Sequence, residues 1–168
     1  DDLDIFAAKH DMKQVYISDL VEYRLSHEKL VEEISSTNSK FFSSNVIKKE
    51  FKDHLGNVHT AIIFGEIKQI SPIKFHTIGS DINLFLNNEK LNSMLKTINF
   101  LEAKGGILIF LSDEMRNKES QKDYGIGAQI LNCLNIKQIK LMTSGGKHSF
   151  VGLQGFGLEI VEEIQIEC

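Results

Sequence analysis

The segment Thr143-Ser144-Gly145-Gly146-Lys147-His148 sets hydroxyls, glycines and a lysine side by side, a composition that lets backbone N–H groups close on an anion while an ammonium supplies charge. Its glycine spacing is not that of a P-loop, and the Lys-Ser/Thr ending is missing; a plain strand-to-loop connection is the competing reading. Asp113-Glu114-Met115-Arg116 offers a carboxylate pair beside one of only two arginines, Arg24 and Arg116. That guanidinium can clamp a planar base or a phosphate in bidentate fashion, although a solvated charged loop has the same composition. His76, after Lys74 on an apolar stretch, is either a ligand or base, or a histidine that is simply hydrogen-bonded near a core. The other histidines, at 10, 27, 54, 59 and 148, show no i, i+4 pairing. Cys133 and Cys168, the only cysteines, lack the spacing of a thiolate metal site. Cys133 shares a helical stripe with Ile130 and Leu134 and reads as a packed thiol. Gly125-Ile126-Gly127 matches part of a dinucleotide loop but lacks the third glycine, and helix packing explains it better.

These residues need elements to position them. Leu3, Phe6 and Ala7 suggest a helical stretch, Val15-Tyr16-Ile17 a short apolar run, and Ser18 or Asp19 the cap of a helix bearing Leu20, Val21 and Leu25. Residues 1–34 thus read as a small α/β unit unable to form a core alone. Residues 35–45, rich in Ser, Thr and Asn, have the composition of a linker, which places the domain boundary there and a second domain at 46–168. Ile47 to Lys52 and Val58 to Ile70 flank the turn residues His54 to Asn57 as a hairpin. Ile73 to Ile78, after the single proline, Pro72, forms a further strand.

Asn87 or Asn88 caps a helix with Leu91, Met94, Leu95, Ile98 and Leu101 on one stripe, ended by Lys104-Gly105-Gly106. Ile107 to Leu111 is a buried central strand. Ser112 to Lys122 is a charged loop, followed by a helix from about Tyr124 to Asn135, a strand at Ile139 to Met142 and a last strand at Leu158 to Ile166. The alternation implies an α/β fold, a mixed β-sheet flanked by helices.

The chain has 168 residues, 42% of them hydrophobic, and a formal charge of −4. That size supports one ordinary domain with an appendage, and the acidic balance, with no basic tract, argues against nucleic acid. No apolar run approaches a membrane span and no signal peptide opens the chain, so the expected location is cytoplasmic. A start at Asp1-Asp2, without methionine, suggests a piece of something longer.

Lys122-Asp-Tyr-Gly-Ile-Gly-Ala-Gln-Ile-Leu131, Ile139 to Thr143 and Val151-Gly-Leu-Gln-Gly-Phe-Gly-Leu-Glu-Ile-Val-Glu162 closely resemble the C-terminal third of GTP cyclohydrolase II, especially in its fusion with 3,4-dihydroxy-2-butanone 4-phosphate synthase. Val58 to Ile67 looks like that family's opening strands. Residues 1–34, with Ile17-Ser-Asp-Leu-Val-Glu-Tyr-Arg24, look like the synthase's final helix and exit. The resemblance implies a GTP cyclohydrolase II-like fold behind a short synthase tail, on the riboflavin pathway. In the family a zinc-bound water opens the guanine imidazole ring, with release of formate and pyrophosphate.

The same resemblance implies that the chemistry is gone. The zinc is held in the family by three cysteines, one after Arg-x-His-Ser-Glu and two in a Cys-Asp-Cys-Gly turn. The matching stretch is Lys74-Phe75-His76-Thr77-Ile78-Gly79, so Gly79 takes the first ligand position, and the turn falls in Ser80 to Lys90, which has no cysteine. No zinc ligand survives, and no metal or other cofactor is expected. Without the metal there is no low-pKa water to attack the purine. Leu111-Ser-Asp-Glu114-Met-Arg116 keeps the glutamate and last arginine that would face guanine. The family's proposed base and the arginine that attacks the α-phosphate align with Ser120 and Lys122, which cannot take those roles. Thr143 and Lys147 match phosphate-loop positions. The expected ligand set is therefore Lys74, His76, Thr77, Glu114, Arg116, Thr143 and Lys147, with no intact catalytic residue. The expected partners are the synthase module of the same chain, a second copy in a homodimer and weakly bound guanine nucleotide.

Overall fold

Along Gly106–Leu111, strand β5, every residue but Phe110 is buried, as an unbroken apolar run demands: a strand with no polar face needs cover on both sides. The structure, a computed structural model, describes residues 2–16, 20, 23, 28–112, 120–144 and 157–166. Its other elements are α1 (Asp2–Lys9), β1 (Val31–Phe41), β2 (Ser44–Asp53), β3 (Val58–Phe64), β4 (Ile70–Thr77), α2 (Asp81–Leu86), α3 (Asn88–Lys104), α4 (Ser120–Cys133), β6 (Gln138–Thr143) and β7 (Glu159–Gln165). The strands form a 7-stranded sheet in the order β1-β2-β3-β5-β4-β6-β7. Pairing is antiparallel from β1 to β5 in that order and parallel from β5 to β7. The α/β mixed sheet expected from the sequence is thus observed.

Alternation along β5 builds two cores. Ile107, Ile109 and Leu111 share one face with Ile126, Ala128, Ile130 and Leu131 of α4. Leu108 shares the other with Ile98 and Leu101 of α3. Each such aliphatic side chain, wholly removed from water, contributes about 1.5–3 kcal/mol. The three layers follow from two amphipathic helices on opposite faces of one apolar strand.

Helix α3 starts where its cap was expected: the Asn87 side-chain oxygen accepts from the Lys90 N–H at 2.9 Å. Its buried line is Ser93, Thr97, Ile98 and Leu101, not the full leucine stripe, and Leu95 lies exposed. Thr97 can be buried because its hydroxyl donates to the Ser93 carbonyl at 2.8 Å. The helix ends at Gly105, φ 78°. At Gly106, φ 137°, a Cβ would stand 2.5 Å from the Pro72 carbonyl oxygen, so only glycine lets β5 begin beside β4. Pro72 itself lies inside β4, just before pairing with β5 starts at Ile73.

Several boundaries differ from expectation. Residues 35–45 are not a linker but most of β1, the turn and the start of β2, paired from Ser35↔Glu50 to Phe41↔Ser44. β1 is a sheet edge and mostly exposed, so its Ser, Thr and Asn side chains face water and carry no hydrophobic alternation. The sheet therefore begins at Val31, inside the stretch read as the preceding unit. In that unit α1 is present, Val15 and Tyr16 lie in no regular element and Leu20 and Tyr23 are helical; the remainder of 17–27 lies outside the described residues. β3 stops at Phe64, before the left-handed Gly65, rather than reaching Ile70. α4 starts at Ser120, ahead of Tyr124. No helix among the described residues is long and apolar enough to cross a membrane.

Candidate functional site

The parallel strands β4, β5 and β6 end together, and the chain leaves β4 for α2 and α3 on one face but β5 for α4 on the other. Opposed exits of this kind mark the carboxyl ends of the strands as the place where α/β sheets generally hold ligands. Alternation along β4 decides which side chains face each side of the sheet. Ile73 belongs to the α4-side core and Phe75 packs against it, which sends Lys74 and His76 to the α3 side.

Lys74 is buried, yet its Nζ donates to the Ser144 hydroxyl at 2.9 Å. The strand neighbour of His76 is Phe110, whose ring meets the imidazole edge to face at 5.6 Å between centroids. Burial pushes the His76 pKa below its ordinary 6.5, and the positive charges of Lys74 and Lys90 push it the same way. The imidazole is therefore held neutral at neutral pH between two cations. Chemically this is a cationic corner, able to attract an anionic group and to donate or accept one hydrogen bond at the ring.

The expected ligand set divides. Lys74 and His76 come together. Thr77 lies on the opposite side of β4 by strand alternation and is exposed, and Thr143 shares the alternation of Ile139 and Leu141, which belong to the α4-side core, so neither joins them. Ser120 and Lys122 occupy the first turns of α4. Glu114, Arg116 and Lys147 lie outside the described residues. Two members were missed. Ser144 stood in the glycine-rich loop but was not chosen, since nothing local says which of its hydroxyls meets Lys74. Lys90 was read only as helix, and its charge reaches His76 through the fold.

A second cluster, also unforeseen, holds the exit of β5. His59 is 3% exposed; its Nδ1 accepts the Ser112 N–H at 3.1 Å, which leaves the proton on Nε2, 3.3 Å from the Asp53 carboxylate. Asp53 also accepts from the Leu55 and Asn57 N–H groups and from the Asn57 amide. Burial alone would raise the Asp53 pKa, but the donors on Asn57, His59 and Leu55 together hold it below the usual carboxylate value. The signal was present: an Asp opening an Asx turn, with a histidine just past the turn, returns both to one strand end.

At the positions that the resemblance gives to the zinc, the described residues offer no cysteine or histidine ligand. Gly79 carries no donor, and where the cysteine turn would lie the chain forms α2, whose side chains at 82, 84, 85 and 86 are aliphatic or aromatic. No group of three or more His, Cys, Asp or Glu among the described residues is arranged to hold a metal. Cys133 lies elsewhere, its thiol 3.7 Å from the Val31 carbonyl and its pKa raised by burial. Gly127 packs as helix rather than as a cofactor loop, since a Cβ there would come within 2.5 Å of the Phe75 ring.

A model of the GTP cyclohydrolase II family matches residues 113–165. A "3,4-dihydroxy-2-butanone 4-phosphate synthase" of Sulfurospirillum multivorans is 40% identical over 165 residues, which is 98% of this chain and 46% of that protein. "Riboflavin biosynthesis protein RibBA" of Aquifex aeolicus is 29% identical over 202 residues, covering 99% of this chain and 49% of its own length. Among solved structures, RibBX, a two-domain 3,4-dihydroxy-2-butanone 4-phosphate synthase from A. baumannii, superposes with a TM-score of 0.70 at 26% identity over 96% of this chain and 48% of its own. The chain spans about half the length of these relatives. The likenesses tie it to proteins of riboflavin biosynthesis.

Proposed function

We propose that this chain is the GTP cyclohydrolase II-like half of a riboflavin biosynthesis protein, without the zinc ligands and the catalytic Asp/Arg of that family, and that it serves as a structural or dimerising partner for a 3,4-dihydroxy-2-butanone 4-phosphate synthase half. The observation that supports this reading is that Gly79 and the largely apolar helix α2 occupy the stretch where the resemblance puts the family's zinc ligands. A hydrolase that opens a purine ring needs an activated water, and neither the neutral His76 nor the hydrated ammonium of Lys90 lowers the pKa of water as a metal does. The synthase chemistry belongs to the other half. The test is metal analysis beside a GTP assay on one purified sample: substoichiometric zinc and no formate are expected, and stoichiometric zinc with formate release would overturn the reading.

The Lys74–His76–Lys90 corner favours one second reading, a module that senses guanine nucleotide or a phosphorylated flavin-pathway product and tunes the synthase. A buried ammonium beside a serine hydroxyl is suited to a phosphate oxygen. Titration calorimetry with GTP, GDP and riboflavin phosphate decides it, since binding lost in Lys74→Met would support sensing and no heat at millimolar ligand would remove it.

A further inference from the structure

Helix α2 carries Ile82, Phe85 and Leu86 at i, i+3 and i+4, which places them on one face. That face covers nothing: the three are 67%, 63% and 80% exposed, and no residue of the helix is buried. Ile78, still bonded through its N–H to the Leu111 carbonyl at 2.8 Å, adds an exposed aliphatic side chain beside it. A short helix that turns its whole apolar face to water is costly unless something covers it.

Chain direction says what lies near. The register places Val31 beside Asp53, Lys52 beside Val58, Thr60 beside Phe110 and His76 beside Phe110, so β1 starts at the sheet end where β4 finishes and α2 begins. The chain ahead of β1 is fastened at that end: the Gln129 side chain accepts from the Leu30 N–H and donates to the Glu28 carbonyl, both at 2.8 Å. Four strand spacings, roughly 19 Å, separate β1 from β4, a distance that about six extended residues span at about 3.3 Å each. Among the described residues of the segment before Glu28, the apolar side chains Leu3, Ile5, Phe6, Val15 and Tyr16 are exposed. The relatives carry about as much chain again as is present here.

We propose that the Ile82–Phe85–Leu86 face of α2 is the docking surface for the synthase half of the same polypeptide, which arrives through residues 1–30 at this end of the sheet. The inference rests on the functional reading above for the identity of its occupant. The test uses the full-length protein carrying Phe85→p-benzoylphenylalanine, with Phe42→p-benzoylphenylalanine, at the opposite sheet end and equally exposed, as control. Irradiation at position 85 is expected to join α2 to a peptide of the synthase half within one chain, at a yield about tenfold above that at position 42. Amide exchange over residues 81–86 of the unmodified protein is expected to be slowed about tenfold or more relative to an open helix of this length. Cross-links between two chains, or no cross-link with unprotected amides, would overturn the proposal. Zinc and formate measured on the same sample report separately on the functional reading, so either can fail alone.

Discussion

The two faces of the sheet treat their polar groups differently. On the α4 side the buried polar residues are enclosed and matched: Gln129 bridges Glu28 and Leu30, and Asp53 and His59 tie the β2–β3 turn to the exit of β5. On the α3 side, at the same sheet end, Lys74 and His76 stand near a further cation and next to a helix with a bare apolar face. The first region spends its polar groups on holding backbone in place, where an unmade bond costs the full desolvation of its partner. In the second, the Lys74–Ser144 bond ties β4 to the residue after β6, while His76 is set by burial and nearby charge. The corner and the framework thus rest on different residues.

That contrast can be broken most forcefully at the framework. Gly106→Ala drives a Cβ toward the Pro72 carbonyl in a left-handed conformation and is expected to cost about 3 kcal/mol or more, read as a fall in the urea midpoint. Asp53→Ala strips the turn donors and the His59 Nε2–H of their acceptor, with an expected loss of about 2–3 kcal/mol by the same measurement. Because the folded Asp53 pKa lies below its unfolded value, its contribution is present above the unfolded pKa and fades as pH falls through the folded one; acid titration of the wild type against Asp53→Asn should show that difference. Gln129→Ala should cost about 1–2 kcal/mol and speed hydrogen exchange at Leu30 while leaving that of β5 unchanged.

The smallest effect belongs to the other region. The folded His76 pKa is lowered, so stability should be full above about 6.5, the ordinary value, and should decline as pH drops from there to the folded pKa. His76→Gln should abolish that slope with little change at pH 8. A loss at pH 8 as large as that of Asp53→Ala would mean that the α3-side corner belongs to the framework after all.

Local pattern made most elements legible. β5 announces itself by an apolar run, α3 by an asparagine cap and a glycine stop, the β2–β3 hairpin by its turn residues. The edge strand β1 was illegible because an exposed polar strand and a linker have the same composition, and only pairing with β2 separates them. Of the site, Lys74 and His76 were legible, and Thr77 and Thr143 were grouped with them for want of strand parity. Residue types alone determined that the chain has only two cysteines, too few for a site built on three or four thiolates of one chain. What only the tertiary structure decided is who meets whom: Lys90 near His76, Ser144 at Lys74, Gln129 on the incoming chain, and an apolar helix left facing water. Those are contacts between segments far apart in the chain, and sequence periodicity reports a residue's own element and face, not its neighbour across the fold.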